Sequence, residues 1–134
     1  MRHTIRHALT ALTVAAAVAA PLAATAPTAQ AATYRSWTAG TVTFQHCKGV
    51  LSAHSDYNGH AYASGTLVGT SYLCLGWLER SHLGGAFTRV SGVHNDNAGY
   101  SSSTNWYLDT AGYRARMCVQ PAYHGAPVSC TGAW

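Results

Sequence analysis

Glu79, Arg80 and His82 stand close together in "YLCLGWLERSH" (72–82), and Glu79 is the only glutamate in the chain. A carboxylate, a guanidinium and an imidazole can act as general base, phosphate-neutralising cation and general acid. That set cleaves RNA in small secreted microbial ribonucleases. The spacing argues against it here. In an extended strand adjacent side chains point to opposite faces, so Glu79 and Arg80 diverge and His82 shares a face with Arg80. Those ribonucleases also spread their residues over separate strands above an N-terminal helix, and no helical pattern is present. The expectation is a buried strand running out into a solvated turn before Gly84-Gly85.

Other chemistry is equally thin. The histidines beyond residue 31 are His46, His54, His60, His82, His94 and His124, and none falls in an H-E-x-x-H or H-x-H pattern. No C-x-x-C pair suggests zinc. "HNDNAG" (94–99) is rich in oxygen but lacks the closing glutamate of a calcium loop, so it reads as a turn. There is no G-x-S-x-G. Asp56, Asp96 and Asp109 fall in turn-like contexts, which does not give a glycosidase its two carboxylates across a cleft. No catalytic residue, metal or cofactor is expected.

The elements that must carry these residues begin after an export leader. Residues 1–31 have a basic front (Arg2, Arg6), an apolar run from Ala8 to Leu22 and an A-x-A end at Ala29-Gln30-Ala31. This is the layout of a secretory signal peptide, and the run is too short and Ala-rich for a good membrane span. The remaining part, about a hundred residues, is a single domain of the size that gains from covalent staples. All four cysteines, Cys47, Cys74, Cys118 and Cys130, lie in it. An even number in an exported chain implies disulfides. Three pairings are possible and the sequence does not choose between them. The pairing expected is Cys47–Cys74 with Cys118–Cys130, which staples each half locally, each bond being worth roughly 3 kcal/mol.

Beyond the leader Arg35, Lys48, Arg80, Arg89, Arg114 and Arg116 stand against Asp56, Glu79, Asp96 and Asp109. So mild an excess of cations forms no basic stripe, and neither a nucleic-acid nor a membrane partner is expected. Ser, Thr, Asn, Gly, Tyr and His must cover most of the surface, which suits hydrogen-bonding contact more than electrostatic steering.

The pattern is β throughout. Helical periodicity never persists, while Thr, Val, Tyr and Trp recur in short runs between Gly and Asn. Residues 32–40 read as an N-terminal arm or edge strand and 41–134 as the disulfide-stapled β domain. Strands are expected at 41–47, 51–65, 69–80, 86–93, 104–108 and 113–119. Asn58-Gly59 signals a two-residue hairpin with Tyr57 opposite His60 and Ser55 opposite Tyr62. The run 72–78 is apolar on both faces, the mark of a central strand. "DTAG" (109–112) reads as the turn of a second hairpin, and the terminal Trp134 as docked. The expected fold class is all-β, a small antiparallel sandwich or barrel with two disulfides.

Eight tyrosines and four tryptophans against two phenylalanines exceed what so small a core can absorb. Tyr and Trp combine contact area with a polar handle, so the exposed ones become anchors for protein or sugar. Tyr34, Trp37, Tyr100, Tyr107, Tyr123 and Trp134 are the candidates for partner binding. Trp77 and Trp106 are assigned to the core.

The leader, the size, the four cysteines and the Tyr/Trp-rich strands resemble the small exported proteins of actinobacteria. Within that group "YLCLGWLER", "STNWYLDTAGYRARMCV" and "CTGAW" resemble the small adaptor subunit of umbrella toxin particles, which are secreted antibacterial assemblies. The resemblance covers most of the chain after the leader and rests on general organisation. It implies a non-enzymatic, extracellular connector joining a lectin-bearing subunit to a toxin-carrying stalk subunit. In that role the segment from Ala32 to Thr41 would add as an edge strand to a partner's cleft, with Tyr34 and Trp37 filling pockets. A secreted protease or glycosidase inhibitor is the rival among binding proteins, because "RMCVQPAY" (116–123) echoes the loop of subtilisin inhibitors. A ribonuclease-like toxin using Glu79, Arg80 and His82 is the rival among enzymes.

Overall fold

Alternating apolar residues in short runs build ten strands, seen in a computed structural model that describes residues 33–96 and 99–134. The leader-like segment 1–31 lies outside the described residues. The strands are β1 (Arg35–Phe44), β2 (Cys47–Ser55), β3 (Ala61–Val68), β4 (Cys74–His82) and β5 (Thr88–Arg89), then β6 (His94–Asn95), β7 (Ser102–Ser103), β8 (Tyr107–Leu108), β9 (Tyr113–Pro121) and β10 (Ser129–Cys130). No described residue is helical. One antiparallel sheet runs β1-β2-β3, with β7 and β8 both on the far edge of β3. The other runs β10-β9-β4, with β5 and β6 both on the far edge of β4. The two sheets face each other as a sandwich.

The core lies between them. Val42, Leu51, Ala63 and Leu67 point inward from the first sheet, and Leu78, Ala115, Met117 and Val119 from the second. Each set reflects side-chain alternation along its strand. Met117 fills the centre because small residues surround it. A Cβ at Gly49 would stand 2.9 Å from Met117 Cγ, one at Gly76 2.8 Å from its Cε, and one at Gly65 would run into its sulfur. Close packing of this kind leaves no room for an added methyl group.

Both expected disulfides are formed. Cys47–Cys74 bolts the start of β2 to the start of β4 and so joins the sheets at one end of the sandwich, here the first pole. Cys118–Cys130 crosses from β9 to β10 within the second sheet. At the opposite end, the second pole, β4 and β9 meet at His82 and Tyr113. Among the described residues no helix is long and apolar enough to cross a membrane.

Several elements differ from the sequence-based expectation. Of the segment 32–40, read as an arm or edge strand, residues from 33 are described; β1 begins in it at Arg35 and runs on to Phe44, with a bulge between Thr38 and Gly40. It pairs only with β2, so it is an edge strand. The 55–61 hairpin is shifted by one residue: His54 faces Tyr62 and Ser55 faces Ala61. Asp56 causes the shift. Its carboxylate accepts the Asn58 and His60 N–H groups, each at 2.8 Å, and its carbonyl accepts the Gly59 N–H at 3.1 Å. Gly59 alone takes positive φ, so a longer loop replaces the two-residue turn. Residues 69–73 are not strand, and 86–93 contributes only Thr88–Arg89. Residues 104–119 are not a hairpin either: β8 pairs with β3 and β9 with β4, so the DTAG segment crosses from one sheet to the other. Trp134 does dock, exchanging two backbone bonds with Ala115.

Candidate functional site

Glu79, Arg80 and His82 do not lie in a solvated turn. They belong to β4 and pair with Arg116, Ala115 and Tyr113 of β9. Glu79 faces outward, away from the first sheet, where both its oxygens are engaged: Oε2 accepts from Arg116 Nε at 2.9 Å and Nη2 at 2.7 Å, and Oε1 from Trp77 Nε1 at 2.8 Å. The Phe87 ring covers the Arg116 guanidinium at 4.1 Å. Arg80 faces the other way. It donates to the Leu108 carbonyl, approaches Asp109 Oδ1 at 3.5 Å and lies 4.0 Å over the Tyr113 ring. His82 stacks on the same tyrosine at 4.3 Å. The three side chains therefore do not converge on one substrate. A catalytic base would need a free carboxylate lone pair beside an acid, and Glu79 commits its own to a cation and an indole.

The remaining acids are structural. Asp96, 1% exposed, accepts from the Cys74 N–H at 2.5 Å and from the Thr70 N–H and hydroxyl at 3.1 and 3.0 Å. It ties the 70–73 segment to the start of β4 rather than holding a cation. Burial pushes the Asp109 carboxyl above its ordinary range, against the pull of the nearby Arg80. Asp56 feels burial as well, but the N–H groups of His60 and Asn58 and the His60 ring hold its carboxyl below that range. Among the described residues, the one grouping of potential metal donors is Glu79 with Cys118 and Cys130. Two of the three are disulfide sulfurs, which carry no thiolate for a metal. Of the "RMCVQPAY" segment, residues 116–121 belong to β9 and bury Met117 in the core, while Ala122 and the exposed Tyr123 follow the strand.

What the surface offers is rings, gathered at the two poles. At the first pole a cleft of about 190 Å³ opens beside the Cys47–Cys74 bond. Gln45, His46, Tyr72, Leu73, Pro121 and Tyr123 line it. Tyr72 stacks on His46 at 3.8 Å with 18° between the planes, and Gln45 Nε2 donates to the Tyr123 hydroxyl at 3.2 Å. The Ala122 N–H donates to the Leu73 carbonyl and closes the wall between them. Toward the second pole, the outer face of the first sheet carries a cluster centred on His54. Tyr62 and Trp106 pack on its ring at 4.8 and 4.3 Å, Tyr34 at 5.3 Å, and Tyr57 lies 6.2 Å beyond Tyr34. Trp37 meets Trp134 edge-on at 5.5 Å along the β1 side.

The sequence-derived candidates divide between these places. Tyr34, Trp37 and Trp134 lie toward the second pole. Tyr123 lies at the first, and Tyr100 beside Gly69 near it. Tyr107 lies half-buried against the core. Trp77 is buried, but Trp106, assigned to the core, is 45% exposed. It lies between β7 and β8 on the β3 edge, and its ring packs edge-on against His54. Gln45, His46, Tyr72, Leu73 and Tyr57 join the surface without having been sequence candidates. The signal for the first four was present: residues beside two bonded cysteines must be neighbours, and Gln45-His46 precede Cys47 as Tyr72-Leu73 precede Cys74. Comparison with protein-family models, with curated proteins and with solved structures finds no match for this chain.

Proposed function

We propose that this chain is a secreted, non-enzymatic connector that holds two macromolecular partners, in the manner of an adaptor subunit in an extracellular antibacterial complex. The observation that carries this reading is the segregation of exposed rings. Tyr72 and Tyr123 stand at the first pole with the aliphatic Leu73 beside them, and Tyr34, Tyr57 and Trp106 stand toward the second. The nine-residue β4 spans the distance between the poles, about 26 Å at the usual strand rise. A protein that touches one partner needs one such patch, whereas a connector needs two, held at a fixed separation. The sheets and the Cys47–Cys74 bond supply that rigidity. The open edge of β1 adds a row of unpaired backbone groups beside Tyr34 and Trp37, suited to a partner's extended strand. The leader and the disulfides support export.

The test is co-purification of tagged protein from culture supernatant, with identification of what elutes. Leu73→Ser with Tyr123→Ser should release one partner and retain the other, and Tyr34→Ser with Trp106→Ser should do the reverse. Loss of the same partner from both variants, or turnover of RNA by the purified chain alone, would refute the connector reading.

A further inference from the structure

We infer that the first-pole cleft is a binding site for a single neutral sugar ring. Tyr72 and His46, stacked face to face, line the wall of the cleft, with the apolar Leu73 and Pro121 beside them. A pyranose presents an apolar C–H face that packs on such a wall. Its edge is a row of hydroxyls, each both donor and acceptor. The cleft offers a matching pair. Because the Tyr123 hydroxyl accepts from Gln45 Nε2 at 3.2 Å, its own proton is left to donate, and the Gln45 carbonyl oxygen is left to accept. One donor therefore sits beside one acceptor, the requirement of two adjacent sugar hydroxyls.

The alternatives fit less well. No Asp, Glu, Lys or Arg lines the cleft, so a charged ligand would be desolvated without compensation. An alkyl chain would cover the Gln45 oxygen and the Tyr123 proton without pairing either. A proline ring would stack but carries no donor for Gln45. The volume of about 190 Å³ is below the roughly 300–1,000 Å³ of pockets for drug-sized molecules, which limits the occupant to one ring.

The backbone at Gln45 points the same way. It lies in the two-residue turn between Phe44 and Cys47, at φ 52°, where glycine would be unstrained. The turn itself calls for this angle, as the turns at Leu83 and Ala111 do, and from it the Gln45 side chain reaches across the cleft to Tyr123.

The experiment is saturation-transfer and chemical-shift NMR on the protein with both disulfides formed. The probes are the methyl glycosides of glucose, galactose, mannose and N-acetylglucosamine, with a short proline-rich peptide as comparison. At least one glycoside should bind with a dissociation constant on the order of 1 mM, as its few heavy atoms allow, and shift the signals of Tyr72 and Tyr123. Tyr72→Ala should weaken it about tenfold or more, the loss of one stacked ring. Gln45→Gly should also weaken it while raising the melting temperature, separating loss of function from loss of fold. No glycoside binding, binding that survives Tyr72→Ala, or capture of the peptide alone would each overturn the assignment. Free sugars involve no partner protein, so that failure would leave the connector reading to its own test.

Discussion

Replacing Asp96 tests whether one buried carboxylate holds the first pole together. The side chain accepts three hydrogen bonds and is almost wholly buried. In Asp96→Ala the Cys74 N–H, in a fully buried residue, loses its side-chain acceptor, a cost of about 2–3 kcal/mol. The Thr70 N–H sits nearer the surface and can take water, so its loss costs about 1 kcal/mol. The Thr70 hydroxyl costs less still, since it can turn wholly to the Tyr72 carbonyl that it already reaches at 2.9 Å. The sum is about 3–4 kcal/mol, or roughly 15–25 °C in melting temperature for a domain of this size. Asp96→Asn keeps one acceptor for Cys74 but turns an amide N–H toward the Thr70 donor, and should cost about 2 kcal/mol. Guanidinium unfolding with the disulfides intact measures both, with the slope as a check on two-state behaviour. The cleft should loosen in parallel, because Tyr72 and Leu73 lie between the two anchored residues. A loss below 1 kcal/mol in Asp96→Ala would refute the reasoning, and so would Asp96→Asn being the worse of the two.

Gly65→Ala should destabilise by about 1–3 kcal/mol through collision with Met117, and Met117→Ala in the same chain should recover part of it; additive losses in denaturant unfolding would contradict the packing account. Asp109 governs a pH dependence. Its folded carboxyl titrates above the unfolded one, so its contribution to stability is fully present at acid pH and is lost as pH rises through the folded value. The stability of the native chain relative to Asp109→Asn should therefore fall from acid to neutral pH, as read from denaturation midpoints. A difference that is flat, or that grows with pH, would count against it.

The strands were legible where composition is extreme. The run Cys74-Leu75-Gly76-Trp77-Leu78 is apolar on both faces, and it is a strand with neighbours on both edges. The disulfide pairing preferred for its short loops is the one formed, although the sequence left three open. Register was not. Asn58-Gly59 favours a two-residue turn, yet Asp56 captures two backbone donors and moves the pairing by one position. A shift of one residue exchanges the faces of a strand, and that exchange put His54 rather than Ser55 among the rings. The poles were not legible either. They depend on which sheet each short strand joins: β8 and β9 look like one hairpin, yet β8 pairs with β3 and β9 with β4, and Arg80 of β4 reaches across to the Leu108 carbonyl of β8.

The low charge and the rigidity of this chain are two sides of one constraint. A surface poor in Lys, Arg, Asp and Glu gains little from long-range attraction, so association must rest on short-range contact of rings and hydrogen bonds. Such contact is favourable only if few side chains must be ordered on binding, each costing about 0.5–1.5 kcal/mol. On the connector reading, the exposed rings meet this condition before a partner arrives. Tyr72 is already stacked on His46, and Trp106 packs edge-on against His54 as Trp37 does against Trp134. The backbone beneath the first pair is fixed by Cys47–Cys74 and by Asp96. Loosening Asp96 should therefore lower affinity at the first pole by more than the loss of any contact Asp96 makes with a ligand, since it lies beneath the surface and makes none of its own there.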